Sequence, residues 1–119
     1  MNPLLTVLVV DDEPSLRLLC RINLELEGHR VLEAASLDEA REVMASDPPD
    51  VVLLDVHVGL DNGLDLLDHI EDLELPIRVV MLSGTSEISQ AVRARVSAVL
   101  GKPFDLDELS AAVVDAAVR

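Results

Sequence analysis

The side chains of this sequence that could carry chemistry each stand at the end of a short apolar run. Asp11 and Asp12 follow the first run, and Asp55 follows the third. Ser83 follows the fourth run, and Lys102 follows the fifth. If these runs are parallel strands of one open sheet, their carboxyl ends share an edge, where such sheets bind ligands. We therefore expect three carboxylates, one hydroxyl and one ammonium group to meet at that edge.

Three neighbouring carboxylates repel one another, so a cluster of this kind favours a bound cation. Ligands that are all oxygen select Mg²⁺ over zinc, and Mg²⁺ commonly binds one or two carboxylates together with a phosphate. A carboxylate can itself be the nucleophile that accepts a phosphoryl group, and a lysine can pair with the transferring charge. Asp55 is the central carboxylate, which makes it the candidate nucleophile.

The segments that must position these residues alternate between strands and helices. Nearly continuous apolar runs, typical of strands covered on both faces, predict strands over residues 4–10, 31–34, 51–54, 79–82 and 98–100. Helical spacing predicts a first helix that begins at Pro14 and ends before Gly28, and others over about 36–46, 63–73, 86–95 and from 105 onward. Predicted core positions are Leu16, Leu19, Cys20 and Leu24 in the first helix and Leu106, Leu109, Val113 and Ala116 in the last.

Two of the helices carry a capping-box spacing at their start. Ser36 precedes Glu39 and Asp105 precedes Glu108 by three residues, so that each side chain can bond the backbone N–H group of the other. Five strand–helix units fill residues 1–119, and they predict one α/β domain with a single doubly wound five-stranded parallel sheet, (βα)5.

The composition restricts the classes of partner. The chain has 9 basic and 23 acidic residues, a formal charge of −14, which disfavours contact with nucleic acid and with anionic membrane surfaces. It suits a metal cation or a basic protein face. A single cysteine, Cys20, cannot form an internal disulfide, and neither a membrane-spanning run nor a signal peptide is evident, so we expect a cytoplasmic location.

Taken together, these motifs resemble the receiver domain of bacterial two-component response regulators, of the chemotaxis-regulator type. The motifs are VVDDEP at residues 9–14, VVLLD at 51–55, LSG at 82–84 and KPF at 102–104. The resemblance implies a flavodoxin-like sheet with strand order 2-1-3-4-5. It also implies a phosphorelay function, in which a histidine kinase or a histidine phosphotransfer protein phosphorylates Asp55, and this switches a downstream partner or a fused effector domain.

The same resemblance implies a Mg²⁺ site. Asp55 and Asp12 would be direct ligands, and Asp11 would act mainly through a coordinated water. The backbone carbonyl group of His57, two residues after the acceptor, would complete the ligand set. Alternatively, the His57 imidazole could lie over the acceptor and alter the lifetime of the aspartyl phosphate, as could Thr85.

Two further residues match the family's phosphoryl-binding positions. Ser83 corresponds to the hydroxyl that bonds the phosphoryl group, and Lys102 corresponds to the lysine that pairs with a phosphoryl oxygen. The peptide bond between Lys102 and Pro103 is then expected to be cis. The chain would phosphorylate and dephosphorylate only itself, and so would not be an enzyme in the ordinary sense.

The sequence departs from the family pattern in several places. Val58 and Gly59 replace a Met-Pro pair, and Val99 replaces an aromatic residue that swings inward on activation. The stretch between Ser83 and Lys102 is about three residues shorter than usual, so the fourth helix or its following loop must be truncated. We therefore expect an atypical output surface. The motifs predict no effector domain within residues 1–119, which suits either a single-domain regulator or a receiver from a longer protein.

Other interpretations remain open at this point. The chain could be a pseudo-receiver, which uses the fold as a phosphorylation-independent interaction module. A Mg²⁺-dependent phosphatase is less compatible, because such enzymes carry a second aspartate where this chain has His57. Asp11 and Asp12 could also be ordinary residues at a helix N-terminus. Leu18 and Ile22 form a second apolar stripe, either incidental or a docking surface for the phosphotransfer partner.

Overall fold

The computed structural model describes residues 4–84 and 88–118. In chain order its elements are β1 (Thr6–Val10), α1 (Pro14–Leu26), β2 (Arg30–Ala34), α2 (Leu37–Ser46), β3 (Val51–Asp55), β4 (His57–Val58), β5 (Asp61–Asn62), α3 (Leu64–Asp72), β6 (Arg78–Ser83), α4 (Gln90–Arg93), β7 (Ala98–Gly101) and α5 (Leu106–Ala117). The five predicted strands correspond to β1, β2, β3, β6 and β7, so the alternation of strands and helices is as the sequence predicts.

The five long strands form one parallel sheet in the order β2-β1-β3-β6-β7. Since β6 and β7 are the fourth and fifth of these strands along the chain, the predicted order 2-1-3-4-5 is confirmed. The sequence did not predict β4 and β5, a two-residue antiparallel ladder in the loop after β3. A ladder this short has no periodicity that a sequence pattern could reveal.

Hydrophobic cores lie on both faces of the sheet. Along β1, Leu8 and Val10 join the cluster that contains the buried residues of α2 and α3. Val7 and Val9 point the other way, into the cluster that contains the buried residues of α1 and α5. Because side chains alternate between the faces of a strand, a strand covered on both sides must be apolar at every position. This accounts for the uninterrupted run before Asp11.

The predicted caps are found at the start of α2 and α5. Asp105 Oδ1 accepts a hydrogen bond from the Glu108 backbone N–H at 2.7 Å, and Glu108 Oε1 accepts one from the Asp105 N–H at 3.3 Å. Ser36 Oγ accepts from the Glu39 N–H at 3.1 Å, but Glu39 bonds the Ala35 N–H rather than that of Ser36. The reciprocal capping box is therefore complete only in α5.

Two predicted core positions are wrong. Leu19 is 45% exposed, and Leu106 is 40% exposed. In α1 the sheet covers Cys20 and Leu24, and a residue one position before Cys20 is turned by roughly 100° from it around the helix axis. Leu106 is the first residue of α5, at the rim of the sheet, where solvent reaches its side chain.

The fourth helix is shorter than the predicted span of about 86–95, since residues 88, 89, 94 and 95 are not helical. The predicted truncation therefore falls at least partly on the helix. Within the described part of the chain α4 has four residues, and Ser89 Oγ caps it by accepting from the Val92 N–H at 3.2 Å. The predicted start near Ser86 lies outside the described residues. Arg95, just beyond α4, binds Glu71 and Asp68 of α3 and so ties this segment to its neighbour. No helix in the described ranges has both the length and the apolar character needed to cross a bilayer.

Candidate functional site

The carboxyl ends of β1, β3 and β7 bring the predicted polar residues together. One carboxylate oxygen from each of Asp11, Asp12 and Asp55 lies within 4.8 Å of the others. Lys102 Nζ lies 2.8 Å from Asp55 Oδ2 and 3.3 Å from Asp11 Oδ2. Three carboxylates and one ammonium group thus form one cluster at the edge of the sheet.

Backbone contacts between neighbouring strands hold Lys102 beside the acidic cluster. Ser83, buried at the end of β6, pairs with Gly101 of β7, and the Ser83 carbonyl oxygen accepts from the Lys102 N–H at 2.6 Å. The peptide bond between Lys102 and Pro103 is cis, as expected. Thr85, two residues after Ser83, lies outside the described residues. The prediction that its side chain alters the lifetime of an aspartyl phosphate therefore stays a prediction.

Asp11 is the buried carboxylate of the group. Its Oδ1 atom accepts a hydrogen bond from the Glu13 backbone N–H at 2.9 Å. Burial raises the pKa of Asp11 above its ordinary value, and the negative charge of Asp55 adds to this. The Glu13 N–H and the Lys102 ammonium act in the opposite direction but do not cancel it. An unneutralised negative charge at Asp11 is therefore unfavourable, and a bound cation would relieve it.

Lys102 shows the complementary effect. Burial alone would lower the pKa of its ammonium group, because it removes the charge from water. The hydrogen bond to Asp55 and the charges of Asp11 and Asp55 outweigh burial, and the pKa is raised. Lys102 is consequently a fixed positive charge beside the candidate acceptor at any ordinary pH.

The loop after β3 determines where the Asp55 side chain points. The His57 backbone N–H donates to Asp55 Oδ1 at 3.3 Å, and β4 and β5 fold the loop into a small hairpin. The Gly63 N–H donates to the Val56 carbonyl oxygen at 2.6 Å, which closes the loop that follows Asp55. The His57 side chain is exposed, and the prediction that its carbonyl group binds a metal stays a prediction.

The oxygen-only donor set fits a hard divalent cation. Asp11, Asp12 and Asp55 could each supply one carboxylate oxygen, and Asp12 is exposed to solvent. Such a site leaves room for waters and for phosphoryl oxygens, which is how proteins usually hold Mg²⁺. Burial, with a contribution from the charge of Asp55, raises the pKa of the Asp11 carboxyl group, so a cation close to Asp11 would be favourable.

The departures from the family pattern are also visible. Val99 is partly buried against the core on the α2 and α3 side, where a branched aliphatic side chain replaces a ring. Gly59 adopts φ +63°, a conformation that glycine accepts readily, at the turn between β4 and β5. Leu18 and Ile22 are both about half exposed on α1, whose N-terminus adjoins the acidic cluster.

Arg17 is a residue near the site that the sequence motifs do not predict. The Arg17 guanidinium group donates to the Asp11 backbone carbonyl oxygen at 2.6 Å and to Glu33 at 3.2 Å. The available signal was its place in the first turn of α1, where the helix dipole disfavours a positive charge.

Comparison with known proteins agrees with this geometry. The sequence profile of the response regulator receiver domain family matches residues 7–114. Sporulation initiation phosphotransferase F of Bacillus subtilis is 29% identical over 110 residues, which cover 90% of this chain and 89% of that protein. The transcriptional regulatory protein KdpE of Mycobacterium tuberculosis is 38% identical over 116 residues, which cover 95% of this chain and 50% of KdpE.

A solved structure supports the same assignment. NtrX from Brucella abortus superposes with a TM-score of 0.89 and 31% identity, over 98% of this chain and 27% of that one. The chain therefore spans about half the length of KdpE and about a quarter of the NtrX chain.

Proposed function

The chain belongs to the receiver domain family of two-component response regulators, and from this premise we propose that Asp55 is its phosphoacceptor. The observation that carries the proposal is the position of Lys102 Nζ, 2.8 Å from Asp55 Oδ2, at the edge of an acidic cluster. Of the three carboxylates, Asp55 is the one that is both partly exposed and in contact with the Lys102 ammonium group. We further propose that residues 1–119 act as one receiver domain.

In the proposed transfer reaction the protein donor is a phosphohistidine. A carboxylate oxygen of Asp55 attacks the phosphorus atom, and a new P–O bond forms as the P–N bond breaks. The electron pair of that bond remains on the imidazole nitrogen of the donor, which is then protonated. Hydrolysis reverses the modification: water attacks phosphorus, the bond to Asp55 breaks, and inorganic phosphate and the free carboxylate result. The chain thus turns over only its own phosphoryl group.

Lys102 and Ser83 have complementary parts in this proposal. The Lys102 ammonium group, already fixed by Asp11 and Asp55, pairs with an oxygen of the incoming phosphoryl group. This matters because negative charge accumulates on those oxygens during transfer, and a positioned cation stabilises it. Ser83, at the end of β6, supplies a hydroxyl group from the adjacent strand.

Receiver domains use Mg²⁺ at an acidic pocket, and the cluster here could hold such an ion. Asp11, Asp12, Asp55 and the backbone carbonyl group of His57 are the proposed ligands. When bound, the ion supplies positive charge that offsets the repulsion among the carboxylates and the phosphoryl oxygens.

Receiver domains interact with histidine kinases or phosphotransfer proteins, and we propose that this chain meets such a partner through α1. Leu18 and Ile22 are 55% and 51% exposed and lie one turn apart on α1. An exposed apolar stripe beside a reactive group is typical of a docking surface. The short α4 and Val99 support the proposal that any output differs from the usual aromatic switch.

The alternative of a phosphorylation-independent pseudo-receiver is not favoured. Such a chain has no need to keep a mutually repelling acidic cluster with a paired lysine, since the arrangement costs stability. Asp11, Asp12, Asp55 and Lys102 nevertheless converge.

A direct test is phosphorylation by acetyl phosphate, with and without MgCl₂, read by intact mass and by a phosphate-affinity gel. We expect wild type to gain one phosphoryl group only with Mg²⁺, and Asp55→Asn to gain none. Asp115→Asn, which changes an exposed aspartate on α5, is the matched control and should react like wild type. An unmodified wild-type chain at saturating donor and metal would refute the proposal.

A further inference from the structure

Arg17 is the one charged side chain of α1 that reaches the β1–α1 loop. Its Nη1 atom donates to the Asp11 backbone carbonyl oxygen at 2.6 Å, and its Nε atom donates to Glu33 Oε1 of β2 at 3.2 Å. The Arg17 side chain as a whole is largely covered, with an exposure of 16%. A charged hydrogen bond to a carbonyl group at this distance, largely shielded from water, is among the stronger contacts that a protein makes.

The contact completes the bonding of Asp11. The Asp11 backbone N–H donates to the Ala34 carbonyl oxygen at 3.2 Å, its Oδ1 atom accepts from Glu13, and its Oδ2 atom accepts from Lys102. The carbonyl oxygen is the remaining polar atom, and Arg17 binds it. Every polar atom of Asp11 is therefore held by a different neighbour.

The Asp11 carbonyl group also fixes Asp12. The carbonyl oxygen of Asp11 and the N–H group of Asp12 lie in one planar peptide unit, so a donor that holds the first sets the orientation of the second. Asp12 is exposed, and its side chain has no hydrogen bond among those found in the described residues. Its approach to Asp55 therefore depends on the backbone rather than on side-chain contacts.

Helix electrostatics give no local reason for an arginine here. Arg17 lies in the first turn of α1, where the positive end of the helix dipole repels a cation, and no acidic residue occupies that turn. Its favourable contacts are instead with Asp11 and Glu33, from two other segments.

We propose that Arg17 is a positioning residue that orients the Asp11–Asp12 peptide so that both carboxylates face Asp55 and can bind the divalent cation. The inference rests on the proposed function, because it assumes that this cluster binds Mg²⁺. It makes a prediction opposite in sign to simple electrostatics. Removing a positive charge near the site should tighten Mg²⁺ binding, because it removes a Coulomb repulsion. Loss of positioning should instead weaken Mg²⁺ binding.

Arg21 supplies a matched control. It binds the same Glu33 carboxylate, from Nη1 to Oε2 at 2.9 Å, and lies one turn further along α1. Its other partner is Glu25, and no contact with Asp11 is found for it in the described part of the chain. Arg21→Gln thus removes the same charge and the same type of ion pair without touching the Asp11 carbonyl group.

The experiment is a MgCl₂ titration of isotope-labelled protein by NMR, following the amide signals of Asp12 and Asp55, with thermal unfolding of each metal-free variant. We expect Arg17→Gln to weaken Mg²⁺ binding about tenfold, as loss of a contact behind a ligand typically does. Arg21→Gln should bind as wild type does or slightly tighter. In the metal-free state, Glu13 N–H exchange should quicken in Arg17→Gln only.

Arg17→Lys keeps the positive charge but lacks the guanidinium group that donates to both Asp11 and Glu33. This variant should fold even if Arg17→Gln does not. It should bind Mg²⁺ roughly threefold more weakly than wild type. Wild-type affinity in both Arg17 variants would overturn the positioning role and leave the proposed function intact. A wild-type chain that shows no Mg²⁺-dependent shift would overturn both.

Discussion

Gly63 lies so close to the backbone of Asp55 that a Cβ atom added at position 63 would be 2.2 Å from the Asp55 carbonyl oxygen. The φ angle of Gly63 is −55°, so the reason for glycine here is the close approach and not a left-handed conformation. The start of α3 is therefore packed directly against the residue that we propose as phosphoacceptor.

This contact predicts a cost for any larger residue at position 63. We expect Gly63→Ala to lower the free energy of unfolding by about 2 kcal/mol, because backbone atoms must shift to admit the methyl group. The same shift should displace Asp55 and slow its phosphorylation by acetyl phosphate. Urea unfolding and the rate of mass gain measure the two effects.

Gly101 is the matched control for Gly63. A Cβ atom at Gly101 meets no heavy atom within 4 Å, so Gly101→Ala should change stability by no more than about 0.5 kcal/mol. Equal stability of the two variants would contradict the close-packing argument.

Asp11 should make the metal-free fold sensitive to pH. The pKa of Asp11 is higher in the folded chain than in the unfolded chain. The protonated carboxyl group therefore contributes full stability below the pKa of the unfolded chain, and this contribution is lost as the pH rises through the pKa of the folded chain. Asp11→Asn has no ionisable group at this position, so it does not lose stability as the pH rises. Without metal, we expect the variant to exceed wild type by about 1 kcal/mol at neutral pH, and the difference to grow as pH rises from about 4.

Thermal or urea unfolding between acid and neutral pH, in EDTA, measures that difference. Added MgCl₂ should stabilise wild type and have much less effect on Asp11→Asn, since a ligand stabilises only the state that binds it. The idea fails if the wild-type chain is the more stable of the two in EDTA at every pH. Asp115→Asn controls for the loss of a surface charge.

The apolar stripe on α1 predicts a difference between protein and small-molecule donors. The double variant Leu18→Glu, Ile22→Glu should accept phosphoryl groups from a phosphorylated histidine kinase domain about tenfold more slowly than wild type, because two apolar contacts are replaced by charges. Its reaction with acetyl phosphate should not change. Rates from the two donors are compared on phosphate-affinity gels.

Leu73 offers a control for this double variant. It is 58% exposed at the C-terminal end of α3, at the opposite edge of the sheet from the site. Leu73→Glu should leave both rates as they are. If the double variant slows both donors equally, the effect lies in the site and not in docking.

Cys20 should be unreactive while the chain is folded. Burial raises the pKa of its thiol to about 11, and the nearby negative charge of Asp11 adds to the effect. The thiol is thus both covered and almost entirely protonated at pH 8. Labelling by a disulfide reagent should be about a thousandfold slower in buffer than in denaturing urea, since it requires unfolding. Rapid labelling of the native chain would show that α1 opens locally.

Several features of this protein follow from local sequence alone. The uninterrupted apolar run before Asp11 requires a strand covered on both faces, and the alternation of such runs with helical spacing requires a parallel sheet. Parallel strands place their carboxyl ends along one edge, so the meeting of Asp55 with Lys102 could be predicted without coordinates. The caps at Ser36 and Asp105 were also predictable, because each depends only on residues three positions apart in the sequence.

Other features were decided by tertiary structure. The exposure of Leu19 and Leu106 depends on how each helix is rotated over the sheet, which a periodic pattern fixes only to within part of a turn. The contacts of Arg17 with Asp11 and of Gly63 with Asp55 depend on distances of a few ångströms between separate elements. Residue types and spacing specify which elements form and which edge they share, but such distances arise only when those elements pack against one another.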